Sequence, residues 1–392
     1  MTIQRSNLTA RRILGLAMIA VGIICGAVQL ARGSAHVMAA SQAAVGPASG
    51  PAEMPRIENA KVETRAVAGS LDATLRGIIS RAENAQWVGY AVEQVAGEQS
   101  VCCDNYSYRD GGNCGTCRLE REHGEIGGAT MTPGTVKLEG ARQLAVLFRL
   151  QSKKVTRIRV ASQDCTLDAG GLPFIWLTEV KPAESVALLE TYVRSADFED
   201  HADHGLGHGA LTAIALHADP SADRAFESFV KPDQPESLRK QAAFWMGAAR
   251  GKTGLLCLQN MAKNDPSSDV RAHVTFALSV SHESGAVEEM IRIAHDDTSS
   301  HVRGQALFWL AQKAGKKATS TISGAIENDP DTDVKKKAVF ALSQLPKDEG
   351  VPKLIEVAQT NRNPEVRKQA MFWLGQSNDP RALQFFEKVL TK

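Results

Sequence analysis

Between residues 237 and 367 one short pattern returns every 32 residues, as Ser237-Leu238-Arg239, Asp269-Val270-Arg271, His301-Val302-Arg303, Asp333-Val334-Lys335 and Glu365-Val366-Arg367. A fixed period of this size marks stacked supersecondary units, none of which can bury its apolar face alone. More than half of the chain is therefore expected to be a solenoid that presents a long surface, and recognition is a better expectation for it than chemistry.

Two further ladders keep the period. Six residues before each basic position stand Asp233, Asp265, Asp297, Asp329 and finally Asn361, and five after it stand Phe244, Phe276, Phe308, Phe340 and Phe372. Apolar residues such as Val270, Val274, Ala277 and Leu278 fall on one stripe of a helix that begins near the basic residue. A second helix per unit is predicted at 253–263, 286–295, 318–327, 350–359 and 381–390. Proline after Asp or Asn, at 219–220, 265–266, 329–330, 363–364 and 379–380, separates the helices.

The Asp-Val-Arg unit with an aspartate upstream resembles HEAT repeats, in particular the short HEAT-like kind of phycobilisome lyases, over about residues 183–392. The resemblance implies an α-solenoid of HEAT-like helical hairpins. It also implies that Asp233, Asp265, Asp297 and Asp329 form a hydrogen-bonded ladder between repeats with Arg239, Arg271, Arg303, Lys335 and Arg367, a structural role. Neither the T-P-L-H of ankyrin repeats nor the tryptophan pattern of tetratricopeptide repeats occurs.

A longer period overlies the first. Arg239-Lys240-Gln241-Ala242-Ala243-Phe244-Trp245 nearly returns as Arg367-Lys368-Gln369-Ala370-Met371-Phe372-Trp373, with Phe308-Trp309 halfway, so the array reads as a duplicated 64-residue pair. Trp245, Trp309 and Trp373 lie on the buried stripe, where core packing accounts for them; the other reading is an aromatic row that contacts a protein partner. Nucleic acid is not an expected partner, because 45 basic residues against 44 acidic leave no excess for phosphate. Lys335-Lys336-Lys337 reads as a solvated helix face.

The start of the chain differs in kind. Arg5, Arg11 and Arg12 precede the uncharged apolar stretch Ile13 to Leu30, and small residues follow at Gly33-Ser34-Ala35 and Ala39-Ala40-Ser41. A basic start, an apolar middle and a small-residue exit over 1–40 read as a secretory signal, and residues 13–30 also approach the length of a membrane span. The protein is thus expected to be exported, either periplasmic or anchored in the inner membrane facing the periplasm. Residues 41–66, dominated by Ala, Pro, Gly, Ser and Glu, are expected to be a flexible linker.

A small β-rich α+β domain is predicted over 67–182, with a short helix at Val67–Glu83 and strands at Trp87–Val92, Thr135–Leu138, Leu144–Leu150, Arg157–Val160 and Phe174–Leu177. Its Trp87-Val88-Gly89-Tyr90 strand, its cysteine cluster and Asp164-Cys165-Thr166-Leu167-Asp168-Ala169-Gly170-Gly171, ahead of the repeats, resemble the layout of exported bacterial HEAT-repeat proteins. Cys102, Cys103, Cys114, Cys117 and Cys165 admit two chemistries. In an oxidising compartment they are disulfide candidates, the odd number leaving one over. Alternatively Cys102, Cys103, Cys114 and Cys117 hold zinc, with His123 as a substitute ligand. Cys257, in an apolar run, reads as a buried thiol.

Histidines cluster at His201, His204, His208 and His217. The first three are metal candidates, but Gly205, Gly207 and Gly209 weigh against the helix that would align them, and solvated junction histidines are the plainer reading. No nucleophile elbow, phosphate loop or dinucleotide fingerprint occurs, so neither catalysis nor an organic cofactor is expected. Two functions remain: an exported, non-catalytic scaffold that binds another protein, and a zinc-binding or redox-sensing module carried by the cysteine-rich domain.

Overall fold

The computed structural model describes residues 54–95, 100–102, 105–107, 116–121, 142–196, 198 and 206–391. The expected signal or anchor at 1–40 and the strand expected at Thr135–Leu138 lie outside the described residues. No helix among the described residues is long and apolar enough to cross a membrane.

The first part alternates short strands around one helix: β1 (Ile57–Glu58), β2 (Val62–Ala66), α1 (Leu71–Ile79), β3 (Gln86–Glu93), β4 (Ser100–Cys102), β5 (Asn105–Ser107), β6 (Thr116–Arg118), β7 (Gln143–Gln151), β8 (Lys154–Ser162), β9 (Thr166–Asp168) and β10 (Phe174–Thr178). Five of them form a sheet in the order β2-β10-β3-β7-β8, and three form a smaller one, β1-β9-β6. The β7–β8 hairpin turns through Ser152 and Lys153 at φ 51° and 58°, the left-handed pair whose twist matches that of antiparallel strands.

Period-two alternation sorts the five-stranded sheet into two buried faces. Val88, Tyr90, Leu144, Val146, Phe148, Ile158, Val160 and Ile175 point to the helices, while Trp87, Ala145, Leu147, Phe174 and Trp176 pack with Cys117, Leu119 and Leu167 of the smaller sheet. Arg157 and Arg159, on that second face, donate to the carbonyl of Arg121 at 3.0 and 2.6 Å. Residues 57–58 and 62–66, expected within the linker, are strands instead. Their partners are more than a hundred residues away, Phe174–Thr178 for β2 and Leu167–Asp168 for β1, so no local pattern announces them.

The helical part runs α2 (Pro182–Ser195), α3 (Gly207–Leu216), α4 (Pro220–Phe229), α5 (Glu236–Ala249), α6 (Gly251–Asn264), α7 (Ser268–Val280), α8 (Gly285–Asp296), α9 (Ser300–Ala314), α10 (Thr319–Asn328), α11 (Thr332–Ser343), α12 (Lys347–Thr360), α13 (Pro364–Gln376) and α14 (Pro380–Leu390). From α5 onward the odd-numbered helices lie side by side in one layer, and each even-numbered helix packs behind its own repeat. This is the α-solenoid of HEAT-like hairpins after a small sheet-containing domain.

The sheet and the array share a core. Val186 and Leu189 of α2 and Ala210, Leu211 and Ile214 of α3 join the cluster that holds Val88, Tyr90 and Phe148. Gly209 permits the approach, since a Cβ there would collide with the carbonyl oxygen of Ile158 in β8. A buried hydrogen-bond chain crosses the same seam: Tyr90 Oη is 2.7 Å from Ser185 Oγ, which is 2.8 Å from His217 Nε2. A fragment starting at 183 keeps α2 and α3 without their sheet and is expected to self-associate. A fragment starting at 219 is expected to be monomeric, helical by circular dichroism and cooperative in urea, because each repeat contacts chiefly its neighbours. Disorder of the shorter fragment in solution would sink that account.

Candidate protein-binding face of the helical array

Three repeats, at Asp265, Asp297 and Asp329, enter their first-layer helix through an aspartate that works twice. Asp265 Oδ1 accepts from Ser267 N at 2.9 Å, and the same carboxylate receives Arg239 of the preceding repeat through Nε and Nη2 at 2.9 and 3.1 Å. Arg271 grips Asp297 at 2.9 and 3.1 Å and Arg303 grips Asp329 at 2.8 and 3.0 Å in the same way. The third nitrogen of each arginine, Nη1, returns to its own repeat, Arg271 to the Asp265 carbonyl at 2.9 Å and Arg303 to that of Asp297 at 2.8 Å. The fork geometry needs guanidinium and carboxylate together.

The ladder is shorter than its sequence pattern. Asp233 is exposed, since the position 26 residues before it, Gly207, offers no guanidinium. At the other end Lys335 donates to the Glu327 carbonyl at 2.7 Å, and Asn361 caps Asn363 N at 3.0 Å. Both members of that rung are changed together, so no charge is stranded there. Lys336 pairs with Asp333 at 2.9 Å.

On the same layer the aromatic residues make one continuous row. Phe244 stacks on Phe276 with centroids 5.8 Å apart, Phe276 meets Trp309 at 4.8 Å, and Trp309 meets its neighbour Phe308 at 4.8 Å. Phe308 then stacks on Phe340 at 5.6 Å, Phe340 meets Trp373 at 4.8 Å, and Trp373 meets Phe372 at 5.0 Å. Trp245 is buried beside Phe244, Trp309 and Trp373 are half-buried, and Phe372 is 54% exposed. The row thus rises from core to surface along the array. Trp373 Nε1 is buried with no hydrogen-bond partner among the described residues. An open groove of about 480 Å³ runs beside it, lined by His301, Lys336, Lys337, Phe340, Gln369 and Trp373.

The 64-residue spacing marks the tryptophans, yet it does not reveal that each phenylalanine of the intervening repeat stacks on the next tryptophan. The signal was present in the phenylalanine ladder: residues five after the basic position in every unit share one face of neighbouring helices, and Phe244–Phe276 and Phe308–Phe340 meet there directly.

The cysteine and histidine candidates are only partly placed. Cys117 on β6 and Cys165 before β9 are buried and each is disulfide-bonded, and a sulfur so engaged has no thiolate to offer zinc. Cys103, Cys114, His123, His201, His204 and the side chain of Cys102 lie outside the described residues. His208 sits in the first turn of α3, a helix that the glycines do not prevent, with its ring 4.9 Å from that of Phe198. His217 is a buried structural group, and burial pushes its pKa down to about 4. Among the described residues no three His, Cys, Asp or Glu side chains are grouped to hold a metal ion. Cys257 is a half-buried free thiol whose pKa burial pushes up to about 12.

Residues 318–392 match the family of HEAT repeats. No curated protein matches the chain. Among solved structures it is similar to human deoxyhypusine hydroxylase in complex with glycerol, at 14% identity over 53% of this chain and 90% of that one, TM-score 0.28. It is also similar to YibA of Escherichia coli, at 23% identity over 53% and 80%, TM-score 0.32. The complex of CpcE and CpcF of phycocyanin lyase from a Nostoc species gives 18% identity over 53% and 80%, TM-score 0.29.

Proposed function

We propose that this protein is a non-catalytic, exported scaffold that binds another protein along the first-layer face of its HEAT-like array. The observation that carries the reading is the continuous aromatic row, which emerges from the core at Phe340, Trp373 and Phe372 beside an open groove. Aromatic side chains with one exposed edge and a polar rim of His301, Lys337 and Gln369 are the composition of an interaction hot spot. Export is supported by Arg5, Arg11 and Arg12 ahead of the apolar residues 13–30, and by disulfide-bonded Cys117 and Cys165, which suit an oxidising compartment.

Photocrosslinking in the producing cells, from a probe placed at Gln369, tests the site. A discrete protein adduct is expected from position 369 and not from Lys263 on the opposite layer. Phe372→Ala is expected to abolish that adduct while lowering stability by less than about 1 kcal/mol, since the ring is mostly in water. Equal adducts from both layers, or none from 369, would remove the face from consideration. A cleaved signal or an anchor is read by the mass and membrane partition of the mature chain.

A further inference from the structure

The 64-residue duplication lines up three helix ends that meet different fates. At the ends of α3, α7 and α11 the amide nitrogens of His217, Ser281 and Leu345 reach back to the carbonyls of Ile214, Leu278 and Leu342 at 3.2, 3.3 and 3.2 Å. The last carbonyls of such a helix point outward without intrahelical donors and carry the negative end of its dipole.

The next odd-numbered helix supplies a cation to each of the first two ends. From the end of α5, Arg250 Nη1 donates to the carbonyls of Ala215 and His217 at 3.1 and 2.6 Å. From the last turn of α9, Lys313 Nζ donates to the equivalent carbonyls, Ser279 and Ser281, at 2.9 and 2.5 Å. No carboxylate among the described residues forms an ion pair with Lys313, so the carbonyl pair alone seats its ammonium. The third end lacks the cation. Position 377, which is 64 residues after Lys313, is Ser377, whose Oγ turns back to its own Leu374 carbonyl at 2.7 Å. What remains is a cavity of about 220 Å³ between Ser343, Leu345, Val351, Leu354, Trp373 and Ser377. Trp373 lines both this cavity and the groove on the binding face.

We propose that this cavity receives the side-chain ammonium of a lysine from the protein partner, on the carbonyls of Ser343 and Leu345, with the lysine methylenes against Val351 and Leu354 and the cation beside the Trp373 ring. The chemistry is that of Lys313 one repeat pair earlier, supplied from outside instead of from the chain. The source of the lysine rests on the scaffold reading; the seat itself does not. The chain's own Lys347 lines the cavity mouth but is exposed.

The test uses the full chain and two small probes, Nα-acetyl-lysine methylamide and its uncharged isostere Nα-acetyl-norleucine methylamide. The readout is the indole N–H resonance of Trp373, assigned with Trp373→Phe. The lysine amide is expected to shift it saturably, at concentrations roughly tenfold below those at which the norleucine amide acts, as charge-assisted bonds to carbonyls require. Ser377→Lys is expected to raise Tm and to abolish the response, because the seat is then filled as Lys313 fills its own. Equal responses to the two amides would overturn the proposal, as would a retained response in Ser377→Lys. So would silence in both the natural protein and Lys347→Ala, the variant that rules out filling by the chain's own lysine. Because no partner enters the titration, a silent seat alongside a Phe372-dependent adduct would sink this inference and leave the scaffold standing. The reverse pattern would do the opposite.

Discussion

Replacing Asp265 by alanine is expected to destabilise the array by about 3–5 kcal/mol, the cost of removing one partner from a buried ion pair. The pair Arg239–Asp265 is the most enclosed rung of the ladder, with side chains 4% and 2% exposed and two parallel hydrogen bonds between them. Alanine at 265 leaves the Arg239 guanidinium buried with only the carbonyls of Pro232 and Gln234 to satisfy it, and also takes away the cap on Ser267 N. The loss would appear as a lower urea midpoint of the full chain with little change in the slope. Two controls separate the pair from its parts. Arg239→Met with Asp265→Leu removes both charges and is expected to recover much of the loss. Lys335→Ala, on the rung where fork and carboxylate are both replaced, is expected to cost less than about 0.5 kcal/mol. A loss below about 1 kcal/mol for Asp265→Ala would mean that water reaches the guanidinium and that the ladder does not hold the repeats.

That rung also shows what a sequence of this kind makes legible. A 32-residue period fixes helix positions well, because every unit repeats the same local problem: the helices expected at 253–263, 286–295 and 381–390 are α6, α8 and α14 with ends shifted by at most two residues. The ladder residues could be named from the pattern. The fact that Arg239, Arg271 and Arg303 each reach 26 residues forward, and that Asp233 therefore meets no guanidinium, belongs to the stacking of repeats and to no single one. The strands β1 and β2 were hidden for the same reason, since Val62-Glu63-Thr64-Arg65-Ala66 has little apolar content and is held by parallel backbone bonding to β10. Gly209 reads locally as a helix breaker, whereas its use is the close pass of α3 over Ile158. The candidate site divides along the same line. Its tryptophans and phenylalanines were visible as ladders, but the exposure gradient along the row, and the empty third cation seat beside Trp373, depend on which neighbour each residue meets.

Lowering the pH from 7 to 5 is expected to remove about 2 kcal/mol of stability through His217 alone, before most carboxylates titrate. The ring is fully buried at the seam between sheet and array, and burial pushes its pKa down to about 4, with the Arg250 charge acting in the same direction and Asp219 and the Ala213 carbonyl against it. The hydrogen bonds fix the tautomer. Nδ1 lies 2.6 Å from the Ala213 carbonyl, which only accepts, so Nδ1 carries the proton and Nε2 accepts from Ser185, leaving the Ser185 oxygen to accept from Tyr90. A proton on Nε2 would reverse that chain and strand the Tyr90 hydroxyl hydrogen. The folded protein therefore stays neutral at His217 down to about pH 4, whereas the unfolded chain takes up a proton near the ordinary histidine value of about 6.5. Stability from this group is whole above about pH 6.5 and is lost progressively as the pH falls toward 4, below which both states are protonated and the slope vanishes. The measurement is the urea midpoint at pH 7 and at pH 5 for the natural protein and for His217→Gln. The variant is expected to be less stable at both values, through its imperfect fit to Ser185 and Ala213, but flatter between them by about 2 kcal/mol. An equal pH slope in the two proteins would show that the ring takes up its proton in the folded state, and hence that water enters the seam.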